Sequence, residues 1–238
     1  MRLTLSRRGM YLLPNLFTTS SLFCGFSAIY AASLGDIALS AIAIFVAMVM
    51  DTLDGRVARI TNTQSRFGAG YDSLVDIVSF GIAPALLAYS WGLQNFNNIG
   101  WIASFFYVTA TALRLARFNT RTVVEHDRYF QGLPCTLAAG FVTTLVWSAH
   151  QYDISGLKIW ACVAIIISII SALMISSIRY NSFKNISVKR NRLQSAMLMI
   201  FVLCSCLLIE PILILLGALS VYVLSGPLLV FFKAVNKS

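Results

Sequence analysis

The chain has 238 residues, of which 58% are hydrophobic and 11% charged, with a formal net charge of +9. A soluble domain carries about 25% charged residues, so this composition excludes an ordinary water-soluble domain and points to a helical integral membrane protein. The mean hydropathy of +0.78 agrees.

A bilayer core of about 30 Å needs about 20 apolar residues at about 1.5 Å each. Eight segments of suitable character run near 14–33, 37–59, 70–92, 98–117, 133–150, 158–177, 193–209 and 211–232. The expected fold class is therefore all-α, with about eight transmembrane helices. The seventh segment is short, and the Glu210-Pro211 pair suggests a tight turn before the eighth; a six-span arrangement with the last pair re-entrant is the alternative. Ahead of Pro14, residues 1–13 ("MRLTLSRRGMYLL" and its neighbours) read as an interfacial helix, with arginines toward phosphates and leucines toward acyl chains. No cleavable leader is expected, because the first apolar run lacks a small-residue cleavage site and further apolar runs follow it.

All but one of the 18 basic residues fall on one side of this arrangement, Lys158 being the exception. The positive-inside rule then puts both termini in the cytoplasm. The same asymmetry accounts for the net charge by attraction to anionic headgroups, so no nucleic acid partner is expected. The five cysteines, Cys24, Cys135, Cys162, Cys204 and Cys206, all lie in apolar context. They read as small buried side chains, neither a disulfide framework nor a metal site. His126 reads as a loop residue and His150 as an interfacial one.

The stretch from Met50 to Gly81, "MDTLDGRVARITNTQSRFGAGYDSLVDIVSFG", concentrates charge between two very apolar segments. Asp51 and Asp54 stand at i, i+3 near the end of the second span. Asp72 and Asp76 stand at i, i+4 near the start of the third. Each pair shares a helix face. The two spans must form an antiparallel hairpin turning near residues 61–67, and residues equidistant from that turn share a depth. The four carboxylates therefore meet at one level, on the order of 12 Å inside the cytoplasmic boundary. An aspartate at a helix centre costs about 2.5–3.5 kcal/mol on insertion scales, and four together repel one another. Two divalent cations would offset that charge, and hard oxygen ligands favour Mg²⁺, Mn²⁺ or Ca²⁺ over zinc. Gly55 and Gly68 leave room for a ligand against the backbone. Ala58 keeps the same face small, and Arg59, one turn beyond Gly55, presents a fork suited to a diphosphate. Taken singly, an intramembrane aspartate serves as a hydrogen-bond partner and an arginine as an interfacial anchor. Four aspartates at one depth with interleaved glycines argue for a functional site.

The pattern D-x-x-D-G-x-x-A-R-x8-G-x-x-x-D-x-x-x-D is met at every fixed position by Asp51, Asp54, Gly55, Ala58, Arg59, Gly68, Asp72 and Asp76. It resembles the CDP-alcohol phosphatidyltransferase family. That resemblance implies a helical, usually homodimeric membrane enzyme that joins a CDP-activated lipid to an alcohol and releases CMP. It implies one metal held by Asp51, Asp54 and Asp72, a second held by Asp51, Asp72 and Asp76, and Asp76 as general base. It places Gly55, Arg59, Ser65 and Gly68 against the CDP-lipid, and through "PNLFT" it adds Asn15 and Thr18. For "PNLFT" the other reading is a plain helix start, with Pro14 breaking and Asn15 capping.

Further strings, "DGRVARIT", "FGAGYDSLVDIVSFGIAPALLAYSWGL", "LRLARFN" and "FQGLP", resemble the membrane-embedded branch that uses serine as the alcohol. "GLPCTLAAG" departs from that branch by lacking a second proline near Thr136. The resemblance covers the first part of the chain and leaves the last spans without motifs. It implies one domain over 1–238, with the catalytic part in 14–150 and additional spans in 151–238. It also implies CDP-diacylglycerol and L-serine as substrates, membrane lipids as surroundings, and a bacterial-type cytoplasmic membrane with the site facing the cytoplasm. A serine zwitterion needs a cation for its carboxylate, and Arg114, Arg117 and Asn119 in "LRLARFN" are candidates. The other reading makes the arginines helix-end anchors. Glycerol 3-phosphate or inositol phosphate as acceptor, an intramembrane prenyltransferase, and a cation transporter are the competing functions.

Overall fold

The computed structural model describes residues 7–61, 63, 65–120, 129–181 and 211–235. Seven helices account for most of them: α1 (Arg7–Ser33), α2 (Ile37–Ile60), α3 (Arg66–Trp91), α4 (Asn97–Asn119), α5 (Cys135–Gln151), α6 (Leu157–Ile175) and α7 (Pro211–Val235). Two three-residue strands, β1 (Tyr129–Gln131) and β2 (Arg179–Asn181), pair antiparallel.

Among the described residues, five segments are long and apolar enough to cross a membrane: Pro14–Ser33, Ile37–Ile60, Arg66–Trp91, Leu93–Asn119 and Leu157–Ile175. They coincide with the expected first, second, third, fourth and sixth spans. The expected fifth span is α5, an apolar helix of 17 residues, and the eighth falls in α7. The expected seventh span, 193–209, lies outside the described residues, as do His126, Cys204 and Cys206.

The exterior of the bundle is as apolar as its interior. Phe23, Phe26 and Tyr30 on α1, Trp101 and Phe105 on α4 and Ile165 on α6 are all exposed, as expected of side chains whose solvent is hydrocarbon. Inside, small residues let the helices approach. Ala28 and Ala31 of α1 and Ala41 and Ala47 of α2 are fully or almost fully buried. The turn between α1 and α2 uses Gly35 at φ +80, a conformation open to glycine. Asp36 then caps α2 by accepting from the Leu39 N–H at 2.9 Å.

Two expectations are corrected here. Pro14 does not break a helix: α1 runs through it from Arg7. The carbonyl of Pro14 is engaged by the Thr18 hydroxyl at 3.1 Å. Cys162 is not buried but exposed on α6, whereas Cys135 is buried and Cys24 half-buried, and all three are free thiols. A thiol is apolar enough to face lipid without a partner.

Helix α3 is not uniform. Its first part, Arg66–Asp76, and its last part, Ala83–Trp91, are α-helical, and a π-helical turn, Ile77–Ile82, joins them. Pro84 explains the need for an adjustment. A proline has no N–H, so the carbonyl four residues earlier loses its helical donor. That carbonyl belongs to Phe80, and it accepts instead from the buried Tyr107 hydroxyl of α4 at 3.2 Å. The wider turn thus lets a neighbouring helix satisfy a carbonyl that no water can reach.

Helix α1 is the splint for α2 and α3. The Ser21 hydroxyl donates to the Ala47 carbonyl of α2 at 3.1 Å, while the Ser21 carbonyl accepts from the Ser79 hydroxyl of α3 at 3.1 Å. Gly25 makes this approach possible, because a Cβ there would overlap both the side chain and the backbone of Ser79. Replacing Gly25 by Val should cost about 1–3 kcal/mol and lower the thermal unfolding midpoint measured in detergent. Gly70→Ala, at a position with open space around it, should leave that midpoint unchanged or raise it.

Candidate active site

The end of α2, the short connection after it and the start of α3 form a hairpin. Ser65 starts α3: it is extended, and its Oγ accepts from the Gly68 N–H at 2.9 Å, a serine N-cap. Before it, Thr61 Oγ1 and Thr63 Oγ1 lie 2.7 Å apart, and the Thr63 N–H donates to the Ala58 carbonyl at 3.0 Å. These bonds fix where the two helices face each other.

Asp51 from α2 and Asp72 and Asp76 from α3 come together, each offering a carboxylate oxygen, with all three oxygens within 4.8 Å of one another. Ligand oxygens stand about 2.0–2.6 Å from Mg²⁺ or Ca²⁺, so oxygens on opposite sides of one ion are separated by about 4–5 Å. The cluster therefore has the dimensions of a divalent cation site. A second observation agrees. Asp76 Oδ1 and Asp54 Oδ2 are buried with no hydrogen-bond partner among the described residues, an arrangement that is costly unless a cation completes it.

Asp54 does not join the three-oxygen cluster. It is buried on α2 with the Thr18 hydroxyl of α1 beside its carboxylate. Its charge is nonetheless felt by Asp51, Asp72 and Asp76. The four aspartates thus form one electrostatic unit of three convergent groups and one neighbour.

The other expected residues fall around this unit unevenly. Gly55 has open space where a side chain would stand. Its carbonyl accepts from Arg59 Nε at 2.8 Å, which folds the exposed guanidinium back along α2. Across the hairpin, a Cβ on Gly68 would lie 3.1 Å from Ser65 Oγ and 3.8 Å from Asn15 Oδ1, so Asn15 of α1 reaches the start of α3. Thr19 Oγ1 and the Tyr71 hydroxyl, 3.0 Å apart, tie the same two helices.

The three candidates on α4 diverge. Arg114 is half-buried, and its Nη1 donates to the Cys135 thiol at 3.4 Å. Arg117 instead donates to the Ile175 carbonyl at the end of α6, at 2.9 Å. The Asn119 side-chain amide donates to Ser73 Oγ at 3.0 Å, immediately beside Asp72. Arg117 and Asn119 therefore have structural partners, whereas Arg114 keeps a buried Nε without one. Cys135, Ser73 and Tyr107 were not anticipated from the sequence. Only Pro84, which creates the need that Tyr107 meets, carried a readable signal.

Comparison with known proteins fits this geometry. A profile of the CDP-alcohol phosphatidyltransferase family matches residues 11–167, which include all four aspartates. The chain belongs to the CDP-alcohol phosphatidyltransferase family. Among similar proteins, the CDP-diacylglycerol–serine O-phosphatidyltransferase of Helicobacter pylori is 38% identical over 213 residues, covering 90% of this chain and 86% of that protein. The protein of the same name from Mycobacterium bovis is 33% identical over 210 residues, covering 84% of this chain and 71% of its own. That of Bacillus subtilis is 33% identical over 177 residues, covering 74% and 93%. The family uses divalent metals, in keeping with the three-oxygen cluster.

Purified protein should bind Mn²⁺, detected by loss of the free-ion electron paramagnetic resonance signal. Asp72→Asn should weaken that binding by about tenfold or more, because it removes one charged ligand. Asp36→Asn, at the far end of α2, should not change it.

Proposed function

We propose that the protein transfers the phosphatidyl group of CDP-diacylglycerol to the hydroxyl of L-serine, giving phosphatidylserine and CMP. The observation that carries this reading is the 38% identity over 90% of the chain to an enzyme of that name. An intact aspartate motif gathered into a cation-sized cluster accompanies it.

In this reading Asp51, Asp54 and Asp72 hold one divalent cation, and Asp51, Asp72 and Asp76 hold a second; Mg²⁺ or Mn²⁺ suits the oxygen donors, and Ca²⁺ can occupy them. When bound, these ions neutralise and polarise the diphosphate. Asn15, Thr18, Gly55, Arg59, Ser65 and Gly68 bind the CDP-lipid. The open space at Gly55 and the exposed fork of Arg59 support that assignment. Asp76 accepts the serine proton as the serine oxygen bonds to the lipid-bearing phosphorus and the bond to CMP breaks. Its Oδ1, free of protein partners, suits a general base. Arg114 anchors the serine carboxylate. Arg117 and Asn119 hold α4 in place around it, consistent with their bonds to Ile175 and Ser73.

The site's setting follows from its substrates. Serine and CMP need water, and the acyl chains need the bilayer. A site near the cytoplasmic ends of α2 and α3 meets both. The proposed topology has eight spans with both termini in the cytoplasm of a bacterial-type membrane. The whole chain is one domain: residues 1–13 at the interface, 14–150 carrying the chemistry, and 151–238 adding spans. The proposed assembly is a homodimer, as the family resemblance implies.

Purified protein supplied with CDP-diacylglycerol and a divalent ion should release CMP only when serine is added. Radiolabelled glycerol 3-phosphate or inositol phosphate should not be incorporated into lipid. Asp76→Asn should lower kcat by about 10²–10⁴-fold while retaining CDP-lipid binding. Incorporation of a phosphorylated acceptor in place of serine would refute the assignment.

A further inference from the structure

Among the described residues, Arg114 is the member of the expected acceptor clamp that keeps a buried donor, its Nε, without a partner. A guanidinium carries five N–H donors in a fixed fork. One of Arg114's Nη1 donors goes to Cys135 Sγ at 3.4 Å, and its buried Nε meets no partner. A thiol is a weak acceptor, so this contact orients the guanidinium without neutralising it. Cys135 is the first residue of α5 and is buried.

Two bonds between α4 and α3 bracket Arg114 and Asp76 on the facing helices: Tyr107 donates to the Phe80 carbonyl on one side of the pair, and the Asn119 amide donates to Ser73 Oγ on the other.

We propose that Cys135 is a positioning residue for Arg114, holding its guanidinium from α5 so that its remaining N–H groups face the carboxylate of the acceptor. The proposal rests on serine being the acceptor and Arg114 its anchor. The thiol holds one arm of the fork. The unpartnered Nε and the outer N–H groups are left for a planar anion, which matches them in bidentate fashion.

The test is steady-state CMP release by the purified full-length protein in mixed micelles of CDP-diacylglycerol, with serine and the lipid varied separately. Cys135→Ala should raise the KM for serine by about tenfold, the equivalent of one misdirected charged hydrogen bond. The kcat and the KM for CDP-diacylglycerol should stay within about twofold. Cys135→Ser, which restores an acceptor of similar size, should return the serine KM to near the wild-type value. In an Arg114→Lys background, which has lost the fork but kept the charge, Cys135→Ala should not raise the serine KM further. The proposal is overturned if the effects multiply in that background. It also fails if Cys135→Ser behaves as Cys135→Ala, or if both substrates' KM values rise together as general misfolding would make them. Wild-type protein that releases no CMP on addition of serine would instead sink the functional reading on which the proposal stands.

Discussion

The structure depends on holding like charges together where the surroundings favour keeping them apart. Two unit charges 4 Å apart repel by on the order of 4 kcal/mol at an effective dielectric of 20, and Asp51, Asp72 and Asp76 bring three oxygens within 4.8 Å. A free helical hairpin would relieve this by splaying. Here α1 prevents it by bonding to both arms, through Ser21 to Ala47 and Ser79, and through Thr19 to Tyr71. In a bilayer such bonds have little competition from water. The first helix is therefore as much a part of the acidic site as the helices that carry the acids.

The molecule divides its work between two groups of helices. α1, α2 and the first half of α3 supply carboxylates, clear backbone at Gly55 and the arginine fork of Arg59. α4 and α5 contribute the cationic and neutral groups Arg114, Asn119 and Cys135, and α6 and α7 pack behind them. The two groups are stitched at few places, among them Asn119 to Ser73 and Tyr107 to Phe80. Both stitches land on α3, one on each side of Asp76. The base of the proposed reaction thus sits on the helix whose position is most thoroughly fixed from outside.

The hairpin was legible in the sequence because its information is local. The spacing of Asp51, Asp54, Asp72 and Asp76 about a turn near 61–67 determines their depth, and α2 ends at Ile60 while α3 begins at Arg66. Depth alone does not say which way each side chain turns. Asp54 fits the same spacing as the others but lies outside the three-oxygen cluster, with Thr18 beside it. That distinction depends on α1, which sequence spacing does not place. Arg117 and Asn119 looked equivalent to Arg114 because all three end the same helix; their separate fates are set by α6 and α3. The continuation of α1 through Pro14 and the exposure of Cys162 have a common cause. In lipid, an imperfect helix is still better than open backbone, and an apolar side chain need not be inside.

The widened turn in α3 gives one helix two rotational registers. A π-helical turn accommodates about one more residue than the α-helical path it replaces, and one residue corresponds to about 100° of rotation about the axis. Everything before Ile77 is thereby turned relative to everything after Ile82. The apolar half, from Ala83 onward, can seat Ala85 and Ala88 in the core while the polar half aims Asp72 and Asp76 at α2. The missing N–H of Pro84 and the phenol that compensates for it act as the hinge pin of this offset. An aromatic residue on α4, outside the carboxylate cluster, therefore helps decide which way the acids point.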